Sequence, residues 1–249
     1  MQTVLITGCS SGFGLEIARD FLARDWRVVA TMRTPREDVL PPSEHLRVLA
    51  LDVTKPESVR GAVMAAGPID VLVNNAGFGA ASPAELAPIE AVREVFETNT
   101  FGTIAVTQAV LPQFRERKAG VIVNVTSSVT LKALPLIGAY RASKAAVNAF
   151  TESMALELEP FGIRVRLVLP GRSLETRFGE NARAHIHGFD NEAYAGLVKQ
   201  VLAHLEDTAS PLTRAQDVAE AVWRAATDPS TPMHLPAGAD AEAWAAEVS

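Results

Sequence analysis

Apolar residues in this chain arrive in short bursts separated by longer amphipathic stretches. Val4-Leu5-Ile6, Val28-Val29-Ala30, Val48-Leu49-Ala50, Val71-Leu72-Val73, Val121-Ile122-Val123 and the run from Val165 to Leu169 are brief and rich in β-branched residues. They do not alternate apolar with polar, the mark of strands buried on both faces. Between them lie the helix-like stretches Leu15 to Ala23, Pro56 to Ala65, Ile89 to Arg117, Ala142 to Glu159 and Gln216 to Thr227. Strand–helix alternation of this kind predicts an α/β fold, a doubly wound, mostly parallel sheet with helices on both faces. Met233-His234-Leu235-Pro236 reads as a short last edge strand, where proline is tolerated, and brings the expected sheet to seven strands.

The interval from Arg172 to Thr213 breaks this rhythm, with helix-like patches and no clear strand. A long insertion after a strand's carboxyl end sits where ligands bind in open α/β sheets, so a mobile substrate lid is expected at about 172–206. No Pro/Gly/Ser-rich linker and no fixed-period repeat divides the chain, so residues 1–249 are expected to form one domain.

Composition narrows the function classes. Hydrophobic residues make up 48% and charged residues 21%, the balance of a soluble globular protein. The net charge of −6 and the lack of a long basic run exclude a nucleic-acid surface. No apolar run approaches the roughly 20 residues of a membrane span, and Val4-Leu5-Ile6 is too short for the core of a signal peptide. Neither a membrane partner nor a leader is expected. The single cysteine, Cys9, excludes an intrachain disulfide and a multi-cysteine zinc site. A reducing, cytoplasmic location fits. His45, His185, His187, His204 and His234 lack ligand spacing, so no metal is expected.

The segment Thr7-Gly8-Cys9-Ser10-Ser11-Gly12-Phe13-Gly14 links the first strand to the first helix. Gly8, Gly12 and Gly14 allow tight turns and close approach of backbone to a pyrophosphate. The helix amino end supplies unpaired N–H groups and partial positive charge for the anion. That position, in an alternating chain, is the context of a dinucleotide-binding loop, although the spacing is TGxxxGxG and not the general GxGxxG. Cys9 inside the loop is either a redox-sensitive thiolate or a small spacer, and the spacer is the simpler reading.

Tyr140 and Lys144 stand four apart in Ala139-Tyr140-Arg141-Ala142-Ser143-Lys144, one turn apart on one face of a helix. A free Tyr titrates near pH 10, and a nearby cation favours phenolate. Such a Tyr can give a proton to a carbonyl oxygen or take one from an alcohol. The pair occurs on many helices by chance, and it gains meaning only from its surroundings.

Those surroundings resemble the short-chain dehydrogenase/reductase family along essentially the whole chain. The TGxxxGxG loop and the YxxxK pair are joined, in the family's order, by Asn74-Asn75-Ala76-Gly77 after the fourth strand and Asn99 in the next helix. Ser127 follows in Asn124-Val125-Thr126-Ser127, and Pro170-Gly171 comes after the sixth strand. The resemblance implies a Rossmann domain in which Tyr140 is the general acid/base and Ser127 hydrogen-bonds the substrate carbonyl oxygen. Lys144 would lower the Tyr140 pKa and hold the nicotinamide ribose, and Asn99 would anchor a water relaying protons from Lys144. It further implies cofactor contacts at Gly8, Ser10, Ser11, Gly12, Phe13 and Gly14, at Asp52 and Val53, at Asn75, Ala76 and Gly77, at Tyr140 and Lys144, and at Pro170 and Gly171. A homodimer or homotetramer is implied too, through the helices Ile89 to Arg117 and Ala142 to Glu159.

The resemblance also bears on cofactor and substrate. NAD-specific members usually carry an Asp where Met32 falls; here Arg33 follows instead, able to bond a 2′-phosphate, so NADP(H) is the expected cofactor. In the family pattern PGxVxT a Thr contacts the carboxamide; here the run to Thr176 is one residue longer, which leaves its reach open. Phe78, Val129, Leu134, Leu136, Leu174 and Phe178 would line a mostly apolar pocket for a small-molecule ketone, aldehyde or alcohol. An NADPH-dependent carbonyl reductase is the leading expectation. The alternatives are a non-redox relative, such as an epimerase or dehalogenase, and a non-catalytic NADP(H)-sensing regulator.

Overall fold

The structure is a computed structural model that describes residues 1–206 and 211–248. Seven parallel strands form one sheet: β1 (Thr3–Thr7), β2 (Arg27–Met32), β3 (Leu46–Ala50), β4 (Val71–Asn74), β5 (Gly120–Val125), β6 (Ile163–Pro170) and β7 (His234–Ala237). Their order is β3-β2-β1-β4-β5-β6-β7, every neighbouring pair parallel. The expected fold class, with its seven strands, is what is found.

Why the strands read as unbroken apolar runs is visible in the packing. Val4 and Ile6, Val28 and Ala30, Val71 and Val73, and Val121 and Val123 face one layer of the core. Leu5, Val29, Leu72 and Ile122, the residues between them, face the other. Each face is roofed by helices, so neither alternate position can be polar. The first layer is closed by α1 (Gly12–Ala23) and by the helix Ala215–Thr227 near the C-terminus. The second is closed by α2 (Pro56–Ala66), by the helical arm 89–117 and by the long helix Gly138–Leu158.

The arm 89–117 is not the single helix its pattern predicts. It runs as α3 (Ile89–Phe96), a π-helical turn (Glu97–Phe101) and α4 (Gly102–Arg117). One wide turn rotates the residues on either side and leaves Asn99 fully buried beneath the site. The next helix, α5 (Gly138–Leu158), begins earlier than its apolar pattern, so Tyr140 lies in its first turn. Among the described residues, the interval after β6 carries two α-helices, α6 (Phe178–Ala182) and α7 (Ala195–Glu206), before α8 (Ala215–Thr227). A last helix, α9 (Ala239–Val248), follows β7 and was not expected. Its run of Ala and Glu has no clear apolar stripe to announce it.

Helices leave β1 and β4 on opposite faces of the sheet, which opens a crevice between their carboxyl ends, the usual place for a ligand in such folds. On the far side from that crevice, α1 and α8 are clamped by three mutually edge-on rings. Phe21 and Trp26 lie 5.1 Å apart, Phe21 and Trp223 5.2 Å, and Trp26 and Trp223 5.7 Å. Arg24 lies 4.4 Å above the Trp223 ring and is paired with Asp20 and Glu220. Phe21 is fully buried, so Phe21→Ala is expected to cost about 3–5 kcal/mol in denaturant unfolding. Removing the half-buried Arg24 should cost about 1 kcal/mol or less. If the two substitutions proved equally costly, the rings would not be the clamp.

Candidate active site

The loop after β1 is shaped for an anion. Gly8 and Gly12 hold φ of +76° and +61°, a region that favours glycine. α1 begins at Gly12 with Ser11 as N-cap, yet the Ser11 hydroxyl makes no cap bond and the first turn carries no acid. The first N–H groups of α1 are therefore left open, and the helix dipole adds positive charge there. Ser10 is exposed; Ser11 and Phe13 are half-buried at the rim of this opening.

The Asn75-Ala76 pair, expected to touch cofactor, is engaged in buttressing this loop. Thr7 Oγ1 accepts both the Asn75 and the Ala76 backbone N–H at 3.0 Å. Asn75 Nδ2 donates to the Thr7 and Gly8 carbonyls at 3.0 and 3.3 Å. A side chain at Gly14 would collide with Asn75 Nδ2 and with the Gly8 carbonyl. The glycines are thus demanded by the fit between two loops before any ligand is considered. Cys9 between them is fully buried, its Sγ donating to Ile6 O, and burial pushes the thiol up to about 12. It is a spacer; the thiolate reading fails.

Arg33 is exposed just past β2. Asp52 accepts from the Thr54 N–H and hydroxyl at 3.0 and 2.7 Å. Burial raises the Asp52 carboxyl, but the Thr54 bonds and the nearby Arg33 and Lys55 charges outweigh it and hold it below the usual carboxylate range. Val53 is 8% exposed, its side chain packed where a Cβ on Gly102 of α4 would touch it, which leaves its backbone for the expected adenine contact. Met32 is 2% exposed in the core layer under α1, so an acid placed there would be buried.

Ser127, Tyr140 and Lys144 converge past the end of β5. Ser127 caps a one-turn 3-10 helix, Ser128–Thr130, accepting from Val129 N–H at 3.3 Å. Tyr140 and Lys144 are 7% and 6% exposed. Lys144 Nζ donates to Val125 O at 3.1 Å and lies beside Gly77, where a Cβ would stand 3.3 Å from it. Asn99 uses both amide donors, to Phe78 O at 3.0 Å and Ser143 Oγ at 3.1 Å, while its Oδ1 accepts from Phe78 N–H at 3.0 Å. Its side chain joins the Phe78 loop to α5, and its backbone carbonyl accepts from Thr103 Oγ1 at 2.9 Å.

The expected sign of the Tyr140 shift is reversed. Burial raises the phenol to about 12, and a hydrogen bond with Ser127 offsets only part of this. Burial also lowers Lys144 to about 8. In both groups burial, which disfavours the charged form, is the dominant cause.

The segment after β6 covers this constellation. The Phe178 ring is 5.6 Å from that of Tyr140, and a Cβ on Gly79 would stand 2.7 Å from it. Phe78 stacks on His185 at 4.2 Å, and Ala81 pairs with Ile186 in a short parallel bridge. Tyr194 donates to Glu85 at 2.5 Å. Thr176 reaches the glycine loop despite the extra residue: a Cβ on Gly12 would lie 3.3 Å from its Cβ. Leu136 is buried and Val129 and Leu134 are half-buried nearby in the chain, whereas Leu174 is 54% exposed. Pro170 ends β6, and Gly171 is backed by the Asp240 carboxylate. Asp240 accepts from Arg172 N–H and Thr213 Oγ1, both at 2.6 Å. Gly79, His185, Thr213 and Asp240 had no sequence signal, because each acts through a distant partner. Among the described residues no His/Cys/Asp/Glu group gathers to hold a metal, and no helix is long and apolar enough to cross a membrane.

An α/β sheet with an open helix terminus at its reversal point and a buried Ser–Tyr–Lys set defines a nicotinamide dinucleotide oxidoreductase scaffold. A family model described as short chain dehydrogenase matches residues 2–187, and the chain belongs to that family. It is 37% identical over 239 residues to an uncharacterized oxidoreductase of Bacillus subtilis (91% of this chain, 85% of that one). It is 39% identical over 209 residues to a 3-ketodihydrosphingosine reductase of Bacteroides thetaiotaomicron (82% and 76%). With human retinol dehydrogenase 8 it shares 35% over 253 residues (93% and 80%). A short-chain dehydrogenase from Streptomyces avermitilis superposes with a TM-score of 0.87 at 32% identity, covering 99% of this chain and 91% of that one. One from Burkholderia cenocepacia, in complex with NADP, gives 0.78 at 28% identity (99% and 93%). A 3-ketoacyl-(acyl-carrier-protein) reductase from Brucella melitensis, complexed with NADH, gives 0.77 at 27% (94% and 96%).

The Lys144 shift makes a stability prediction. Its folded pKa near 8 lies below the 10.5 of a free lysine, so between these values the unfolded chain binds more protons and stability rises with pH. Lys144→Met should raise the stability of the cofactor-free protein below about pH 8, by roughly 2–3 kcal/mol. The gain should shrink toward pH 10. A pH-independent difference in unfolding free energy would show that the buried ammonium is not the cause.

Proposed function

We propose that this chain is an NADP(H)-dependent carbonyl reductase, reversible as an alcohol dehydrogenase, that acts on a hydrophobic ketone or aldehyde. The observation that carries this reading is the meeting of Ser127, Tyr140 and Lys144 in one buried group beside the open α1 terminus. In this reading Tyr140 gives its phenolic proton to the carbonyl oxygen, and Ser127 donates a hydrogen bond to the same oxygen. The reduced nicotinamide, when bound, supplies the hydride to the carbonyl carbon, and the product is the alcohol. A phenol near 12 is protonated at neutral pH, which suits an acid in the reduction direction. Lys144, near 8, holds a proton it can hand to the phenolate left behind. As the resemblance implies, its ammonium also holds the ribose hydroxyls.

Apolar surroundings support the substrate class. Phe178 covers Tyr140, Phe78 stacks on His185 of the segment 172–206, which we read as the lid, and Val129, Leu134 and Leu136 shortly precede Tyr140 in the chain. Relatives named for retinol and 3-ketodihydrosphingosine, both with long hydrocarbon bodies, agree with it. The exposed Ile89, Phe101 and Leu156 on the arm 89–117 and α5 support a homodimer, alone or paired into a tetramer. The lone free thiol of Cys9 supports a cytoplasmic setting.

The deciding experiment follows NADPH consumption against a panel of apolar ketones and aldehydes. Tyr140→Phe removes the proposed proton donor, so turnover should fall by roughly a hundredfold to ten-thousandfold with NADPH binding kept. Turnover within a few-fold of wild type would sink the assignment, and a wild type that binds NADPH but reduces nothing would point to a sensor.

Arg33 is expected to set cofactor preference. Its residue is exposed and no acid stands at Met32 to oppose a 2′-phosphate, and a bond to a charged group contributes roughly 1.5–3 kcal/mol. Arg33→Ala should weaken NADPH about tenfold to a hundredfold and leave NADH nearly unchanged. An unchanged ratio of kcat/KM for the two cofactors would place phosphate recognition elsewhere.

A further inference from the structure

Ser127 and Tyr140 sit on different elements, and two hydroxyls that address one oxygen have to keep a fixed separation. The element carrying Ser127 is poorly equipped for this. A single 3-10 turn, Ser128–Thr130, has few bonds of its own: Thr130 N–H to Ser127 O at 3.2 Å and Leu131 N–H to Ser128 O at 2.9 Å. Such short pieces hold their geometry only with outside help.

That help comes from α5. Arg141, the residue after Tyr140, donates from Nε to Val129 O at 2.9 Å and from Nη2 to Thr130 O at 3.4 Å. Asn148, two turns further along, donates from Nδ2 to Thr130 Oγ1 at 3.1 Å. Thr130 Oγ1 in turn donates to Ser127 O at 2.8 Å. The guanidinium is engaged with two loop carbonyls, not with a carboxylate, and its planar fork makes both bonds at once. The loop bearing Ser127 is therefore fastened to the helix bearing Tyr140 at the residue next to Tyr140 itself.

We propose that Arg141 is a positioning residue that holds the Ser127 hydroxyl in register with the Tyr140 phenol, with Asn148 as a second strut. The proposal rests on the reading of Ser127 and Tyr140 as partners on one carbonyl oxygen. Arg141 touches neither substrate nor cofactor in this scheme; it acts through the loop. Losing it lets the Ser127 turn drift, which weakens both the bond to the carbonyl oxygen and the bond that steadies the phenolate.

The test uses the full chain with Arg141→Met, which keeps the apolar stem and removes the donors, and Arg141→Lys, which returns one donor. In the cofactor-free protein, amide exchange at Thr130 and Leu131 should quicken in Arg141→Met. For a carbonyl that the wild type reduces, kcat should fall roughly tenfold to a hundredfold, with the KM for NADPH within about twofold. In the alcohol-oxidation direction the rising limb of the pH profile should move to higher pH. Arg141→Lys should recover part of kcat and of the pH shift, and Asn148→Ala should show the same pattern more weakly.

A residue that only stabilised the fold would lower the melting temperature without moving the pH limb. That result, or exchange at Thr130 and Leu131 equal to wild type, overturns the proposal. A wild type inactive on every carbonyl overturns the functional reading, and this inference with it. An active wild type with an unaffected Arg141→Met variant overturns the inference alone.

Discussion

β1 and β4 are neighbours whose following helices go to opposite faces of the sheet, so their carboxyl ends are held together by the loops themselves. Thr7 Oγ1 does this by accepting two successive backbone N–H groups from the other strand's exit, Asn75 and Ala76. Asn75 returns the contact to the Thr7 and Gly8 carbonyls. Those bonds set the loop separation so small that Gly14 has no room for a side chain. With the loop so held, the N–H groups at the start of α1 face the crevice, and the chain passing Gly77 runs beneath Lys144. The anion site and the ammonium site are thus two ends of one buttress.

Below this buttress the sheet carries a buried polar ladder. Asn74 donates to Thr107 Oγ1 and Asn124 Oδ1, both at 2.9 Å, and Asn124 donates to Thr151 Oγ1 at 2.8 Å. It ties β4, β5, α4 and α5 together in the layer under Ser127 and Tyr140. Buried networks of this kind favour one arrangement, because each alternative leaves more polar groups unpaired, even though Asn74 Oδ1 itself finds no partner here. The site therefore stands on elements whose mutual placement is fixed by directional bonds, not by apolar packing alone.

Strand positions were legible in the chain because both faces of the sheet are roofed, so Val4-Leu5-Ile6 and its counterparts had to be apolar throughout. The glycine loop, Ser127, Tyr140 and Lys144 were legible as motifs in order. What escaped was set by long-range contact: Asp240 behind Gly171, Gly79 beneath Phe178, the π-turn at Asn99. The ionisation of Tyr140 escaped for another reason. Spacing alone puts a cation near the phenol, but how deeply both are buried is a property of the assembled fold, and here burial decides the sign.

The two sides of the site are held by different kinds of force. On the polar side, Ser127, Asn99 and Lys144 are fixed by hydrogen bonds to backbone and to one another's elements before any cofactor is present. On the apolar side, Leu136 sits at φ +66°, a strained region for a leucine, with its carbonyl clamped by the Ser82 N–H at 2.7 Å. Phe178 rests on Tyr140 and Gly79 through ring contact alone, from a five-residue helix, α6. Dispersion contacts are non-directional, and an apolar substrate offers equivalent ones, so it can replace Phe178 at little cost. The hydrogen-bonded side has no such substitute. Under the proposed chemistry, this division lets the shape of the pocket vary with the substrate while the proton donor keeps its place.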